Sequence, residues 1–422
     1  MGTITVCGGR RLSGEVIIHG AKNSALPLLA ATLLAHGVSE IHNCPHLSDV
    51  RASMAILRHL GCHTTQQGDT VTVDATAPNR SDIPDDLMRE MRSSIVFLGA
   101  IIARSGEATM SYPGGCELGP RPIDLHLAAL RRLGVTIEET HGRICCRAEN
   151  GLHGAEITLA FPSVGATENV LLAACTAKGT TVLRHAAREP EIQDLCAYLN
   201  ACGACIQNTA DGVLTIEGVP RLHGCAHRVM PDRIEVATYL AAAAVTGSEL
   251  TLQRCLTEHA SPVFPALEES GCIIRSISSA DDLQTLVVKA PARLRSLGTV
   301  RTMPYPGFPT DAAAPLLAAA CVADGTSVFV ESIFENRYKY VDELARMGAH
   351  IRVDGRVAVI EGVPALQGAS VACTDLRGGA ALVVAALAAT GETTVHEIQH
   401  LDRGYAELTE RLQVVGADIR RE

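Results

Sequence analysis

Tryptophan is absent from this 422-residue sequence, and Phe and Tyr bring the aromatic fraction only to 3%. A chain so poor in rings has few platforms on which to stack nucleobases, which argues against single-stranded nucleic acid as its partner. A basic excess is missing too. The formal charge of -10 argues against non-specific nucleic-acid binding and polybasic membrane attachment, so any anion site must be a local cluster of Lys and Arg. No uninterrupted apolar run reaches eighteen residues, so no segment is expected to span a membrane as a helix. The opening residues, MGTITVCGGRRLSGEV, lack the basic stretch followed by an apolar run that marks a secretory signal. Cysteine is plentiful, at fifteen, but the odd number and irregular spacing do not suggest a disulfide framework and point to a reducing cytoplasm. CGAC at 202–205 is a lone C-x-x-C with no second pair, which argues against zinc, and no metal site is expected. Cys145-Cys146 in RICCRAE reads as filler on a strand with alternating faces.

What is present is order and repetition. A hydrophobic fraction of 47% beside a charged fraction of 19% describes a globular chain long enough for two or more domains. Five stretches resemble one another: NSALPLLAATLLAHGVSEI, GATENVLLAACTAKGTTVL, RIEVATYLAAAAVTGSELTL, DAAAPLLAAACVADGTSVFV and GGAALVVAALAATGETTVH; a sixth, RSSIVFLGAIIARSGEATM, is looser. Each reads as an Ala/Leu-rich helix ending at a glycine suited to a left-handed C-cap, then a β-branched strand. A second helix and a second glycine follow, at Gly61, Gly134, Gly203, Gly271, Gly348 and Gly416, spaced by 73, 69, 68, 77 and 68 residues. Two alternating strands then close each unit, as in AHIRVDGRVAVIEGV, where an Asp-Gly turn marks a hairpin. The unit is βαβαββ. Six such units divide into two domains of three, and helices apolar nearly all round imply burial inside with sheets outside.

The charges at the unit junctions are the candidates for chemistry. Asp49, Asp232 and Asp375 read mainly as helix N-caps, as does a Ser at such a position. Lys22, Arg92, Arg121, Arg337, Arg377 and Arg403 are different, because the helix dipole opposes a cation at an N-terminus. Six such residues in an acidic chain point to a deep, multiply anionic substrate. Within YPGGCELGPRPIDLH (112–126), Cys116 follows two glycines. Composition makes it a small apolar filler, whereas the glycine pair makes it a thiol on a loop.

The motifs GAKNSALP (20–27), MRSSIVFLGA (91–100), PGGCELGPRPIDLH (113–126), PSVGATEN (162–169), PDRIE (231–235), FPTDAAAP (308–315), FENRYKYVDEL (334–344), TDLRGGAALV (374–383) and DRGYAEL (402–408) resemble, in order and over the whole chain, the UDP-N-acetylglucosamine enolpyruvyl transferases. The resemblance implies an α/β (α+β) fold, a two-domain inside-out α/β barrel of six βαβαββ repeats. One domain would span 22–230, with the cysteine lid, and the other 1–21 and 231–422, with the active site in the cleft between them. It implies transfer of the enolpyruvyl group of phosphoenolpyruvate to the 3-hydroxyl of UDP-N-acetylglucosamine with release of phosphate, the first committed step of peptidoglycan synthesis, without cofactor or metal. Lys22, Arg121 and Arg403 match residues that hold phosphoenolpyruvate, and Arg377 matches a further cation near its carboxylate. Cys116 matches the proton donor, which would make it the target of fosfomycin, and Asp311 the carboxylate at the sugar 3-hydroxyl, as base or orienter. Asn23, Arg92, Arg121, Pro122, Ile123, Asp124, Leu125, Ser163, Val164, Gly165, Asp311 and Ile333 match the nucleotide-sugar contacts. Phe161 stands where some members carry a lysine, and Glu117 adds a negative charge beside the thiol. The alternatives are the shikimate-phosphate enzyme, a paralogue acting on another uridine nucleotide, and a non-catalytic nucleotide-sugar-binding regulator.

Overall fold

The computed structural model describes residues 2–112, 123–209, 211–278 and 282–422. Among them are six four-stranded sheets, each built on one plan. The fifth repeat shows it without interruption. Strand Thr299–Arg301 runs parallel to Thr326–Val330, and the parallel pairing requires a crossover, which the helix Thr310–Ala320 supplies. The second helix, Val341–Arg346, leads to the antiparallel hairpin of His350–Asp354 and Val357–Glu361, whose second strand lies on Thr326–Val330. Asp354 pairs with Val357, so the two-residue turn is Gly355-Arg356, one residue beyond the expected Asp-Gly, with Gly355 at a φ of 55°.

The chain divides into two compact units. One holds described residues 2–19 and 231–422. Its helices Arg233–Thr246, Thr310–Ala320 and Leu376–Ala388 pack pairwise on one another, and sheets lie against them. Small alanines let the helix backbones approach closely, so residues from Ala312 to Ala320 are all buried, whichever face they occupy. The N-terminal strands complete sheets whose other strands come from the second half of the chain. Ile4–Cys7 lies antiparallel between Glu392–His396 and Asp418–Arg421, and Ser13–Ile17 runs parallel to Glu249–Cys255.

The other unit holds described residues 20–112 and 123–230. Its inner helices are Lys22–Thr32, Phe97–Ser105 and Val164–Ala174, the second packed against both others. The strand Ala226–Arg228 returns to lie parallel to Val38–His42. Each unit is thus an inside-out α/β barrel of three repeats, as the repeat pattern predicts.

The six second glycines have φ between 90° and 102°, a region closed to most side chains. The first set behaves differently from expectation. Gly106 and Gly247 are left-handed C-caps, but Gly37, Gly179, Gly325 and Gly391 fall beyond the helix end, after a further turn.

Candidate active site

Lys22 is the first residue of its helix, and Ala21 before it offers no capping side chain. A cation there opposes the dipole, and Asp49 offsets it: Nζ to Oδ2 is 2.7 Å, with the two side chains 8% and 1% exposed. Asp49 is therefore not the cap expected of it. Leu47 occupies the N-cap of Ser48–His59, and the Asp49 carboxylate is committed to the lysine of another helix. The approach to this helix is tight. A Cβ on Gly20 would lie 1.8 Å from the carbonyl oxygen of Asn43, so the glycine of GAKN is required sterically. Ser24 hydroxyl donates to Asp194, which also pairs with His227 Nε2 at 2.8 Å and accepts from Met230 N at 3.3 Å. Asn23, half-buried, sits between these two anchored residues.

A second cluster forms around Asn169, a residue the sequence reading quoted but gave no role. Its Oδ1 accepts from Gly99 N at 2.6 Å, and its Nδ2 donates to Ile95 O at 3.1 Å and faces His126 Nδ1 at 3.0 Å. Desolvation lowers the His126 pKa to about 4, so the neutral ring is an acceptor here. One buried amide thus ties together the 3-10 helix Arg92–Val96, the helix Asp124–Arg132 and the helix Val164–Ala174. Ser163 caps the last of these, its Oγ accepting from Ala166 N at 3.3 Å. Val164 and Gly165 follow, half-buried, and a Cβ on Gly165 would come within 2.8 Å of His126 Cε1. Ile123 is buried at the N-cap of the 124–132 helix, Asp124 is exposed and Leu125 half-buried. The Arg92 side chain lies outside the described atoms, and Cys116, Glu117, Arg121 and Pro122 outside the described residues.

In the other unit, Asp311 is gripped by two buried arginines. Arg337 Nη2 lies 2.8 Å from Oδ1 and Arg377 Nη2 3.0 Å from Oδ2, each arginine 3% and the aspartate 26% exposed. Burial alone would lower the Arg377 pKa, but Asp311 reverses this and holds the guanidinium above its ordinary value. The faces of these cations are covered by rings, Tyr405 over Arg377 and Phe334 over Arg337, both at 5.3 Å. Arg337 Nε and Arg377 Nε and Nη1 are buried with no hydrogen-bond partner among the described residues. Asp375 caps the Leu376–Ala388 helix through Arg377 N and Gly378 N, and Asp232 caps Arg233–Thr246 likewise, as expected for both.

Glu331 organises the rest, and the sequence reading missed it. Only 2% exposed, it accepts from Thr302 Oγ1 at 2.9 Å, Thr310 Oγ1 at 2.8 Å, Ile333 N at 2.7 Å and Phe334 N at 3.1 Å. It thereby fixes both the turn before Asp311 and the loop bearing half-buried Ile333. Arg403 is half-buried at the end, not the start, of the 3-10 helix Ile398–Arg403, which packs on the Leu376–Ala388 helix. The expectation that six cations stand against helix dipoles therefore holds at Lys22 and Arg377 but not at Arg337 or Arg403, which lie outside any helix start.

Ten of the fourteen described cysteines are buried, and burial raises thiols such as Cys44 and Cys321 to about 12. Among the described residues no group of three or more His, Cys, Asp or Glu could hold a metal ion, and no helix is long and apolar enough to cross a membrane.

Comparison with known proteins decides the family. Residues 6–412 match the model for EPSP synthase (3-phosphoshikimate 1-carboxyvinyltransferase). The chain belongs to the enolpyruvyl transferase family. Within it, UDP-N-acetylglucosamine 1-carboxyvinyltransferase 2 of Caldanaerobacter subterraneus subsp. tengcongensis is 51% identical, over 99% of each chain. UDP-N-acetylglucosamine 1-carboxyvinyltransferase 1 of Symbiobacterium thermophilum is 50% identical, over 99% of this chain and 94% of its own. Among solved structures, the enolpyruvyl transferase NikO from Streptomyces tendae superposes with a TM-score of 0.88 at 30% identity, covering 100% of this chain and 98% of that one. EPSP synthase from Acinetobacter baumannii gives 0.76 at 18% identity over 100% of both chains, which speaks for the enolpyruvyl transferase fold alone.

Proposed function

We infer that the chain transfers the enolpyruvyl group of phosphoenolpyruvate to the 3-hydroxyl of UDP-N-acetylglucosamine, releasing phosphate, as the first committed step of peptidoglycan synthesis. The observation that carries this reading is the identity of 44% to 51%, over nearly full length, to relatives named for that reaction. The matching family model bears the shikimate enzyme's name, but the solved shikimate-type structure shares only 18% of residues, so the substrate assignment follows the relatives. Free thiols at all fourteen described cysteines suit a cytoplasmic enzyme.

The residues fit the chemistry. Phosphoenolpyruvate carries a carboxylate and a phosphate, and the unpartnered donors on Arg337 and Arg377 are of the kind that bind such groups in forks. Lys22, Arg121 and Arg403 are the further cations proposed for phosphoenolpyruvate. Addition of the sugar hydroxyl requires a proton delivered to the methylene carbon and one withdrawn from oxygen. Cys116 is proposed as the donor. Asp311, held by Arg337 and Arg377, is proposed as the group at the 3-hydroxyl, either the base that takes this proton or the acceptor that orients the hydroxyl. Asn23, Arg92, Ile123 to Leu125, Ser163 to Gly165 and Ile333 hold the nucleotide sugar in this reading.

The test is phosphate release measured with phosphoenolpyruvate and each acceptor separately. Release that depends on UDP-N-acetylglucosamine is expected. Release with shikimate 3-phosphate, with another uridine nucleotide alone, or with no acceptor would overturn the assignment.

A further inference from the structure

Cys202 belongs to the C-x-x-C stretch 202–205, yet the structure separates its two cysteines. Cys205 begins the strand Cys205–Asn208 and turns to Glu217, its Sγ 3.7 Å from Oε2. Cys202 instead caps the helix Pro190–Ala201, and its Sγ lies 3.3 Å from Sγ of Cys225, which is 23 residues further along the chain. The backbones around the two sulfurs are fixed. Cys202 O accepts from His223 N at 2.9 Å, and Glu40 N donates to Cys225 O at 3.0 Å, just before the strand Ala226–Arg228. Two sulfurs already in contact on anchored backbones need little more than bond formation to become a cystine.

We propose that Cys202 and Cys225 form a dithiol that closes to an intramolecular disulfide under peroxide, a modification site separate from the residues assigned to the transfer reaction. Cys225 is half-buried and Cys202 only 1% exposed, so the peroxide meets Cys225 first. The Cys225 thiolate attacks the peroxide O–O bond, forming a sulfenic acid and releasing water. The Cys202 sulfur then displaces the hydroxyl as a second water, and the S–S bond forms. Two thiols lose two electrons and two protons, and one hydrogen peroxide is reduced to two waters. Burial holds the Cys202 thiol at about 12 and raises Cys225 as well, so the thiolate fraction is small. The pair therefore stays reduced against brief exposure, and closure takes sustained oxidant.

The disulfide would join the end of the Pro190–Ala201 helix to the segment that runs into Met230. That helix carries Asp194, the residue already bonded to Ser24, His227 and Met230 N. Closure thus adds a covalent link to a junction otherwise held by hydrogen bonds.

The experiment treats the full-length protein with hydrogen peroxide for hours, blocks remaining thiols, and maps tryptic peptides without reduction. Cleavage after Arg188, Arg221 and Arg228 puts Cys202 on peptide 189–221 and Cys225 on peptide 222–228. The two peptides are expected as one cross-linked species, lighter by two hydrogens than their sum and separated by dithiothreitol. Cys202→Ser and Cys225→Ser should each abolish it, whereas Cys205→Ser and Cys196→Ser should leave it intact. Peptide 222–228 recovered uncross-linked after Cys225 has been oxidised overturns the proposal. So does a link that survives Cys202→Ser, which would place the partner at Cys196 or Cys205.

Discussion

Replacing Asp311 by Asn keeps the shape of the side chain and removes its charge from between two guanidiniums that are each 3% exposed. Breaking a buried ion pair from one side costs about 3–5 kcal/mol, because the remaining charge stays buried without compensation. Two corrections apply here. Asp311 is 26% exposed, so water already shares in its solvation, and Asn retains one carbonyl oxygen to accept from one arginine. A loss of about 2–3 kcal/mol is therefore expected. For a unit of this size each kcal/mol shifts the midpoint by about 2–4 °C, so the melting transition of that unit should fall by roughly 4–12 °C. Calorimetry is the assay, with the two units fitted as separate transitions, since a two-unit chain need not unfold in one step. A further arm uses inorganic phosphate. If the arginines are left short of negative charge, phosphate should raise the midpoint of Asp311→Asn more than that of the wild type. A fall below about 1 °C, or equal stabilisation of both proteins by phosphate, refutes the reasoning.

Four other groups carry further outcomes. His126 is held at about 4 against an ordinary 6.5, so its contribution to stability is present above 6.5 and lost as pH falls towards 4. Glu168, buried near Glu191 and Glu189, is raised from 4.5 to about 8, so its contribution is present below 4.5 and lost as pH rises through 8. Glu168→Gln should therefore gain on the wild type between pH 5 and pH 8 by more than about 1.4 kcal/mol in urea unfolding; a gap independent of pH would show that Glu168 is ionised when folded. Asn169→Leu removes all four hydrogen bonds of the buried amide, the fourth being Nδ2 to Gly165 O at 3.2 Å, and should raise KM for the nucleotide sugar by roughly tenfold or more, with kcat changed less; an unchanged KM means that the network does not position Arg92 and Ser163. Arg403→Lys keeps charge but loses the fork, and should cost about 1.5–3 kcal/mol in kcat/KM; a loss under about threefold removes Arg403 from the anion site.

The periodic part of the fold was legible because it recurs about every seventy residues and rests on backbone constraints. A glycine at φ near 95° cannot be replaced cheaply, so the six second glycines mark the ends of the second helices in sequence as they do in space. The edge strands were not legible. Asp82–Ile83, Glu156–Thr158 and Thr299–Arg301 are two or three residues long, too short for alternation to show. Nor does anything local tell Ile4–Cys7 that its neighbours are Glu392–His396 and Asp418–Arg421. At the site, Lys22 and Arg377 stood out because they violate a local preference, while the acids that answer them did not. An aspartate early in a helix looks the same in sequence whether it caps its own helix, as Asp232 does, or neutralises another's lysine, as Asp49 does. Glu331 carried no signal at all, since its four hydrogen-bond donors come from residues up to 29 positions away.

That difference bears on how buried cations are accommodated within each unit. Clustered, buried cations repel one another and lose hydration, and an isolated ion pays several kcal/mol for burial. In each unit a carboxylate already meets part of that cost, Asp49 for Lys22 and Asp311 for Arg337 and Arg377. The arrangement is stable enough to fold around, yet it leaves particular N–H groups, Nε of both arginines and Nη1 of Arg377, aimed at no protein acceptor among the described residues. A phosphate or carboxylate that reached those groups would add to the existing pairs and need not displace them. Binding would then draw on donors whose desolvation folding has already imposed, which is how a preorganised site holds a small, heavily hydrated dianion against water.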